Sequence, residues 1–428
     1  MMKNNSAESA RKAFTLTARQ NHPWLFGLLF IPYGVASAVN TLLVPYVLRQ
    51  QGIPVDRIAG VVAVAAIPTV WSFLCSPLVD LGPKRRSWIL FAALGSGIAA
   101  GVALLSIHLS LAIVTALLFT SSTFSGLYGA ASGAVLTTLP ASVRGQAGGW
   151  VNAGNLGGGA LGGGLLIGLA DAVRLPILAV CVTLLVALPA VAALLIHEAP
   201  RAREAFLPLV KNVARDLKDV FKSRRTLFGL IFFLSPAGSA AVANLISSVG
   251  PDYKASDHEV LLISGIAGGL LSAFGSFAGG FICDRMNRMT AYALAGLLCA
   301  VFALYLGFAP HTASTYAIGY SGYALAAGFS YAVFTALVLD VLGERTHAAG
   351  TGYALMSASG NLPIVYMTAL DGVGYKRWGA RGLMGVDALA EAGAGIVLLV
   401  IARLVRNVWK SAPAPEISIE PAPSESPA

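Results

Sequence analysis

Two aspartates at nearly repeated positions are the first residues in this chain whose surroundings suggest chemistry. Asp80 and Asp284 each end an apolar run and lie 204 positions apart. Carboxylates beside basic groups at a helix end can pair with a neighbouring helix and stabilise one conformation of a two-state protein. The basic residues that complete the two motifs are Lys84, Arg85 and Arg86 after the first aspartate, and Arg285 and Arg288 after the second. The pattern predicts a pair of conformational-switch loops.

A second pair of short segments keeps almost the same offset. VLTTLP begins at Val135, and VLDVLG begins at Val338, 203 positions later. Anchoring by basic loops would account for either aspartate motif alone, but not for two pairs of segments that share an offset. The repeat predicts two similar halves, an arrangement in which secondary transporters carry a substrate path between the halves.

Carboxylates within apolar runs are scarce and form a second group of candidates. Asp340 lies near the inner end of one run, and Asp387 and Glu391 lie in the outer part of the last run. Because a carboxylate among apolar residues is disfavoured in its charged form, these three are predicted proton-coupling sites, with Glu391 the deepest. The alternative is a helix-end carboxylate that reaches water or bonds Arg381.

The elements that must position these residues are membrane helices. Of the 428 residues, 56% are hydrophobic and 11% are charged, and the mean hydropathy is +0.73, which excludes a soluble globular protein. Apolar runs predict an all-α integral membrane protein with twelve transmembrane helices in two six-helix halves. The predicted helices are Trp24–Leu48, Ile58–Val79, Ser87–His108, Leu111–Thr138, Gln146–Leu169, Leu175–Ile196, Leu227–Val249, Val260–Ile282, Thr290–Ala309, Ser314–Leu342, Ala348–Leu370 and Leu383–Ile401.

The net charge of +9 is explained by topology rather than by nucleic-acid binding. If both termini are cytoplasmic, 22 of the 29 Lys and Arg residues fall on the inner side, as the positive-inside rule requires. The first apolar run continues past the Ala36-Ser37-Ala38 triplet to Leu48, which favours a retained helix over a cleaved signal peptide. We therefore expect an inner-membrane protein in contact with lipid, with both termini in the cytoplasm.

The domain boundaries follow from the same pattern. We expect a cytoplasmic N-terminal arm over 1–23, helical bundles over 24–197 and 227–404, a basic linker over 198–226 and a disordered cytoplasmic tail over 405–428. Apolar residues at helical spacing in the linker predict an amphipathic helix, either a solvated connection or one that binds lipid.

Glycines are concentrated in the fifth predicted helix. Residues 148–168 contain overlapping GxxxG spacings, which let another helix approach closely in lipid. A nucleotide-binding loop is excluded because no strand precedes this run. The glycines are typical of either a sliding helix interface or static packing.

No enzyme or metal site is predicted. The four cysteines have no close spacing, and the six histidines fall at helix ends or in loops without a metal-ligand pattern. The chain also contains no nucleophile elbow and no phosphate-binding loop. We expect no enzymatic activity, no metal and no cofactor.

The aspartate motifs resemble the loop signature of the major facilitator superfamily. Within it, SPLVD at Ser76–Asp80, KRRSW at Lys84–Trp88 and TLPASVRG at Thr138–Gly145 are similar to the branch of AmpG-like permeases and acetyl-CoA transporters. That resemblance implies a proton-driven permease for peptidoglycan-derived sugar-peptides. Three positions differ, since Leu127 and Ser132 stand where the branch commonly has acidic residues in its fourth helix, and Leu156 stands where AmpG itself has an Arg in the fifth.

The resemblance also implies which helices line a central path, namely the first, fourth, seventh and tenth. Buried polar side chains there are the substrate-cavity candidates, although each could instead bond a neighbouring helix. These candidates are Tyr33, Asn40, Tyr128, Asn244, Tyr323 and Tyr331.

These features together predict a monomeric secondary transporter that imports a muropeptide-like solute with protons by alternating access. The alternatives are a permease for siderophores or other amphipathic solutes, and an exporter of drugs or metabolites on the same fold. A membrane receptor or scaffold is the non-transport alternative, disfavoured because a scaffold gains nothing from two mobile halves.

Overall fold

The computed structural model describes residues 21–81, 83–198, 224–343 and 349–410, together with residues 211, 215 and 218. Helices account for nearly all of this part of the chain, which contains no strand. The predicted arm up to residue 20, most of the basic linker and the tail from residue 411 lie outside the described residues.

The first half of the chain forms six helices, α1 to α6. A π-turn at Val39–Leu43 interrupts α1, and the short helix Pro77–Leu81 extends α2. The helices are α1 Pro23–Gln50, α2 Val55–Cys75, α3 Arg85–Leu105, α4 Leu111–Leu136, α5 Arg144–Ala170 and α6 Leu175–Ala187, which continues as the 3-10 helix Pro189–Leu195.

The second half contains six more elements, α7 to α12. Helix α7 begins as Arg224–Phe233 and then breaks into short turns that end at Tyr253. The others are α8 Gly268–Arg285, preceded by the π-turn Leu261–Ala267, α9 Arg288–Phe308, α10 Ala313–Leu342, and a continuous Ala349–Lys410. This last element bends at Trp378 and at Gly379 (φ 64°), so we call 349–377 α11 and 380–410 α12.

The predicted count of twelve agrees with this architecture. Ten helices of the described chain have the length and hydropathy to cross a membrane. One of them, Ala349–Leu404, comprises α11 and α12, and the broken α7 supplies the remaining element. The sequence predicts a loop at residues 371–382, between the last two helices. The chain is instead helical through this region, apart from the bend at Trp378 and Gly379. Helices satisfy their own backbone hydrogen bonds, as the interior of a bilayer requires.

The apolar cores are distributed unequally along the bundle. At the end that carries Lys84, Arg144 and Arg288, called here the basic end, a single core runs through both halves, from Phe26 and Leu136 to Leu339. At the opposite end each half has a core of its own, around Leu104 in the first half and around Tyr316 in the second. The two halves therefore share apolar packing at the basic end.

Glycines bring α5 and α8 into close contact across the two halves. A Cβ atom at Gly149 would lie 2.7 Å from the backbone oxygen of Ser276, and one at Gly280 would lie 2.6 Å from that of Gly145. Nearby, the rings of Trp150 and Phe277 pack edge to face at 4.9 Å. The glycine-rich sequence thus forms a close helix contact between the halves, as the GxxxG spacing predicted.

Candidate functional site

A cavity of about 280 Å³ lies between the two halves. Helices α1, α2, α4 and α5 line one side, and α10 and α11 line the other. Its wall combines aromatic rings, carboxamides, hydroxyl groups and small apolar residues, with no Asp, Glu, Lys, Arg or His among the described residues that line it. The rings belong to Phe30, Tyr33, Tyr331, Phe334 and Tyr353, and the carboxamides to Asn152, Asn155 and Asn361.

The three carboxamides differ in their partners. Asn152 of α5 donates from Nδ2 to the backbone oxygens of Gly148 and Tyr331 at 3.0 Å and to Thr335 Oγ1 at 2.9 Å. Since an amide carries only two hydrogens, these three acceptors saturate it, and Asn152 ties the two halves together. Within the described chain, the carboxamides of Asn155 and Asn361 have no protein partner, so they offer donors and acceptors to whatever fills the cavity.

The first aspartate motif closes the basic end on one side. Asp80 is 4% exposed and accepts hydrogen bonds from the backbone nitrogens of Gly350 at 3.0 Å and Thr351 at 2.8 Å, and from Thr351 Oγ1 at 2.7 Å. Gly350 and Thr351 begin α11, so a carboxylate of the first half caps a helix of the second. A negative charge at a helix N-terminus also interacts favourably with the helix dipole.

The second motif mirrors this arrangement. Asp284 of α8 accepts hydrogen bonds from the backbone nitrogens of Gly145 at 2.7 Å and Gln146 at 2.9 Å, in the first turn of α5. Here a carboxylate of the second half caps a helix of the first. The predicted relation between the two motifs therefore appears as two reciprocal caps across the interface between the halves.

A small ion-pair network supports the second cap. Arg288 binds Asp284 at 2.9 Å and Asp340 at 2.5 Å, and Arg144 of the first half binds Asp340 at 3.2 Å. Arg288 also donates to the backbone oxygen of Ala141. Asp340 thus lies between two guanidinium groups that come from opposite halves. We refer to the two caps and this network as the basic-end lock.

The other basic residues of the motifs have different surroundings. The buried Arg85 donates from Nη1 to the backbone oxygen of Ala134 at 3.0 Å, within the first half. Its backbone nitrogen and that of Arg86 donate to Glu198, which follows α6. Lys84 and Arg285 are exposed. Among the contacts that the structure describes, Arg288 is the basic residue of the two motifs whose side chain bonds both an aspartate of the lock and the opposite half.

Three carboxyl groups form a buried cluster in the second half. Asp371 of α11 and Asp387 and Glu391 of α12 are each 0% exposed. Tyr323 of α10 donates its hydroxyl towards Asp387 at 3.1 Å and Glu391 at 3.5 Å. No ion pair of the described chain involves these carboxyls, and both oxygens of Asp371 lack a partner there. No metal-binding group of His, Cys, Asp and Glu is found among the described residues.

Glu391 also contacts the break in α7. The backbone amide of Ala240 lies near its carboxyl group, and Ala240 has left-handed dihedrals of φ 50° and ψ 37°. The break follows from Pro236, which lacks an N–H and holds the preceding Ser235 in an extended conformation (φ −78°, ψ 150°). The break that Pro236 begins, a proline already visible in the sequence, therefore lies against the acidic cluster and contains the left-handed residue Ala240.

Four of the six predicted cavity residues do not line the cavity. The Asn40 carboxamide donates to Ser122 at 2.8 Å, the Tyr128 hydroxyl donates to the backbone oxygen of Leu29, and Asn244 donates to Thr368 at 3.0 Å. Tyr323 faces the acidic cluster instead. Of the six, Tyr33 and Tyr331 lie in the wall, whereas Asn40, Tyr128 and Asn244 bond neighbouring helices.

Sequence reasoning missed the carboxamides of α5 and α11. Asn152 and Asn155 lie in the glycine-rich run, whose glycines predict a close helix contact and give no sign of a polar site. Asn361 lies in an apolar stretch next to Pro363. An uncompensated amide inside a membrane helix is itself a signal of a buried polar site, and it would have pointed to these residues.

Comparison with known proteins identifies the fold. Residues 25–368 match the family model of the Major Facilitator Superfamily. A search of curated proteins finds no match.

Solved structures agree with the family model. FucP, a fucose:proton symporter of Escherichia coli solved in the outward conformation, is 14% identical, with 90% of this chain and 99% of FucP covered and a TM-score of 0.66. The human organic anion transporter MFSD10 is 18% identical over 88% of this chain and 98% of its own (TM-score 0.65), and the proton:xylose symporter XylE is 16% identical over 91% and 94% (TM-score 0.62). At these identities the likeness concerns the fold.

Proposed function

We propose that this chain, which belongs to the major facilitator superfamily, is a secondary active transporter that moves a small organic solute through the central cavity by alternating access, with protons as the coupling ion. The observation that carries the proposal is the cavity between the halves together with the lock that closes the basic end. A static receptor has no need of reciprocal caps that join and release two halves.

The lock supplies a two-state element. Hydrogen bonds that involve a charged group contribute about 1.5–3 kcal/mol each, net of the bonds to water that replace them when they open. Because Asp80 and Asp284 cap helices of the opposite half, separation of the basic end releases both caps together. We infer from the positive-inside rule that this end faces the cytoplasmic side of an inner membrane. The described conformation is then closed towards the cytoplasm.

The acidic cluster is the proposed proton site. Asp387 and Glu391 are both fully buried and both face the hydroxyl of Tyr323, and a proton on one of two neighbouring carboxyl groups removes the repulsion between like charges. A pair of bare carboxylates in this buried position would carry a large desolvation penalty without a cation to offset it. FucP and XylE are themselves proton symporters, which supports the proposal by analogy of fold.

The predicted proton role of Asp340 is less well supported by this geometry. Its two guanidinium partners stabilise the charged carboxylate, and they place it in the lock. We therefore propose Asp387 and Glu391 as the coupling pair and Asp340 as part of the closure.

For the solute, a muropeptide-like molecule imported with protons is the first prediction, and other amphipathic solutes or export are the alternatives. The uncharged wall of the cavity favours the amphipathic alternative over a charged muropeptide. Uptake of a labelled anhydro-muropeptide into proteoliposomes under an inward proton gradient tests the first prediction directly.

Alternating access itself is tested without any substrate. Spin labels are attached in a full-length protein whose four native cysteines are replaced by alanine. The distance between labels at Ser87 and Arg285 measures the separation of the two halves at the basic end. The distance between labels at Ala172 and Ser314 measures it at the opposite end. We expect the first distance to increase and the second to decrease when the lock is weakened by D80N and D284N together. Distances at both ends that stay fixed, or that change in the same direction, would contradict alternating access.

A further inference from the structure

The wall of the central cavity is uncharged on both sides of the interface. Among the described residues that line it, the polar groups are carboxamides and hydroxyls only. Leu156 adds an apolar side chain to this wall. A charged solute would leave water for a site with no countercharge, which is strongly unfavourable for an unpaired ion.

Two carboxamides in this wall are free to bind. Asn155 comes from α5 of the first half and Asn361 from α11 of the second, and neither has a partner within the described chain. Asn152 differs, because its Nδ2 group is already saturated by three acceptors. A desolvated amide left unpaired costs about 1–3 kcal/mol, so a good ligand must supply a hydrogen-bonding group to each of the two free amides.

Aromatic rings and size restrict the ligand further. Tyr33 of α1 and Tyr331 of α10 bring rings to the wall from opposite halves, and Phe30, Phe334 and Tyr353 add others. Such rings favour a ligand with a flat or ring-shaped apolar face. The volume of about 280 Å³ is at the lower limit of the roughly 300–1,000 Å³ typical of ligand pockets, which favours a small molecule.

We propose that the cavity binds a small, uncharged solute that carries a ring and hydroxyl or amide groups, held between Asn155 of one half and Asn361 of the other. This inference rests on the proposed function and names the substrate class of the same site. Contacts from both halves let the solute favour the conformation in which both amides face the same cavity. A ligand can shift a conformational equilibrium only if it binds one conformation more tightly than the other.

The acidic cluster does not conflict with an uncharged ligand. Asp387 and Glu391 are fully buried and are not part of the cavity wall. Helix α10 connects the two regions, because its Tyr331 lines the cavity and its Tyr323 faces the acidic cluster. A proton can therefore influence the solute site through this helix while the carboxyl groups stay out of contact with the solute.

The test is binding of charge-matched ligands to purified full-length protein, measured by calorimetry and by thermal stabilisation. Two series have one ring each and differ mainly in charge. The first contains N-acetylglucosamine (uncharged), glucosamine (cation) and glucuronate (anion), and the second contains nicotinamide (uncharged) and nicotinate (anion). We expect an uncharged member to bind at least tenfold more tightly than its charged counterparts, a difference of about 1.4 kcal/mol.

Variants of the two free carboxamides locate the site. N155A and N361A should each weaken binding of the uncharged ligand about tenfold, whereas N244A, which removes a carboxamide outside the cavity wall, should leave it unchanged. N361D should reduce binding of N-acetylglucosamine and improve binding of glucosamine. Equal or tighter binding of a charged member by the unaltered protein, or no binding by either uncharged compound, overturns the assignment. If the spin-label distances still change as expected, the transport proposal stands while the substrate class falls.

Discussion

The carboxylate of Asp284 lies 2.7 Å from the backbone nitrogen of Gly145, although the two residues belong to opposite halves of the molecule. Asp80 and Gly350 repeat this relation at 3.0 Å with the halves exchanged. Each half therefore holds the first turn of a helix in the other. A closure built in this way opens as a unit, because neither cap survives separation of the halves.

We expect D284N to shift the conformational equilibrium towards an open basic end. The neutral amide keeps the shape of the side chain but loses the charge that interacts with two backbone N–H groups and with Arg288. A loss of about 1.4 kcal/mol or more corresponds to a shift of at least tenfold. The spin-label distance between Ser87 and Arg285 measures it.

Asp171 provides the matched control for this substitution. It accepts hydrogen bonds from Tyr46 and Gln50 at 2.6 Å within its own half, at the opposite end of the bundle, and the bond from Tyr46 lowers the pKa of its carboxyl. D171N should leave the basic-end distance unchanged. An equal response to D171N and D284N would mean that the distance reports general loosening rather than release of the cap.

The basic-end lock was partly predictable because its residues are charged and repeated along the sequence. The spacing of Asp80 and Asp284 indicated two related helix ends, but their partners are backbone N–H groups, which carry no signature in the sequence. The cavity wall was less predictable. Its helices are apolar on most faces, so the sequence does not distinguish Asn155, which faces the cavity, from Asn40, which bonds a neighbouring helix.

Long uninterrupted apolar runs predicted α1, α4 and α10 to within about two residues at each end, since a helix is the form that satisfies the backbone in lipid. The same rule failed for α7, where Pro236 removes a donor and Ala240 adopts a left-handed conformation. It also placed a loop near residues 371–382, where the helix continues almost to the bend at Trp378.

Close packing of α5 on α8 leads to a steric prediction. In G280V the Cβ atom would lie 2.6 Å from the backbone oxygen of Gly145 and 2.9 Å from the Cα atom of Gly149, contacts that no rotamer of valine relieves. We expect the variant to hold the basic end apart, and the Ser87–Arg285 distance to increase. Gly265 precedes the same helix with nothing within 4 Å, so G265A is the control. An unchanged distance in folded G280V would contradict a closure that depends on this contact.

We expect E391Q to abolish the dependence of the conformation on pH. Glutamine has no titratable proton, so the pair with Asp387 loses one of its two acid groups. In the unaltered protein the distance at each end should vary between mildly acidic and mildly alkaline pH, and in E391Q it should stay constant. Glu259, which accepts hydrogen bonds from Ser256 at an exposed helix start, provides E259Q as the control. A pH response that survives in E391Q would place the proton elsewhere.

Asp340 is the competing proton site, and D340N separates the two roles. Loss of its charge leaves Arg144 and Arg288 without their shared partner, so we expect the basic end to open more readily, as in D284N. We also expect the pH response of the distances to persist, because the pair of Asp387 and Glu391 is intact. A pH response that disappears in D340N but remains in E391Q would restore Asp340 as the coupling residue.

The left-handed residue in α7 gives the last prediction. Ala240 holds φ 50° without the freedom of glycine, at a position beside Glu391. A left-handed conformation costs an L-residue about 1–2 kcal/mol, so A240G should raise the thermal unfolding temperature of the full-length protein while it keeps the backbone amide in place. Ala243 lies exposed in the following turn, so A243G should not raise the thermal unfolding temperature. If A240G destabilises the protein as much as A243G does, the break beside Glu391 is not strained in the way that its dihedrals indicate.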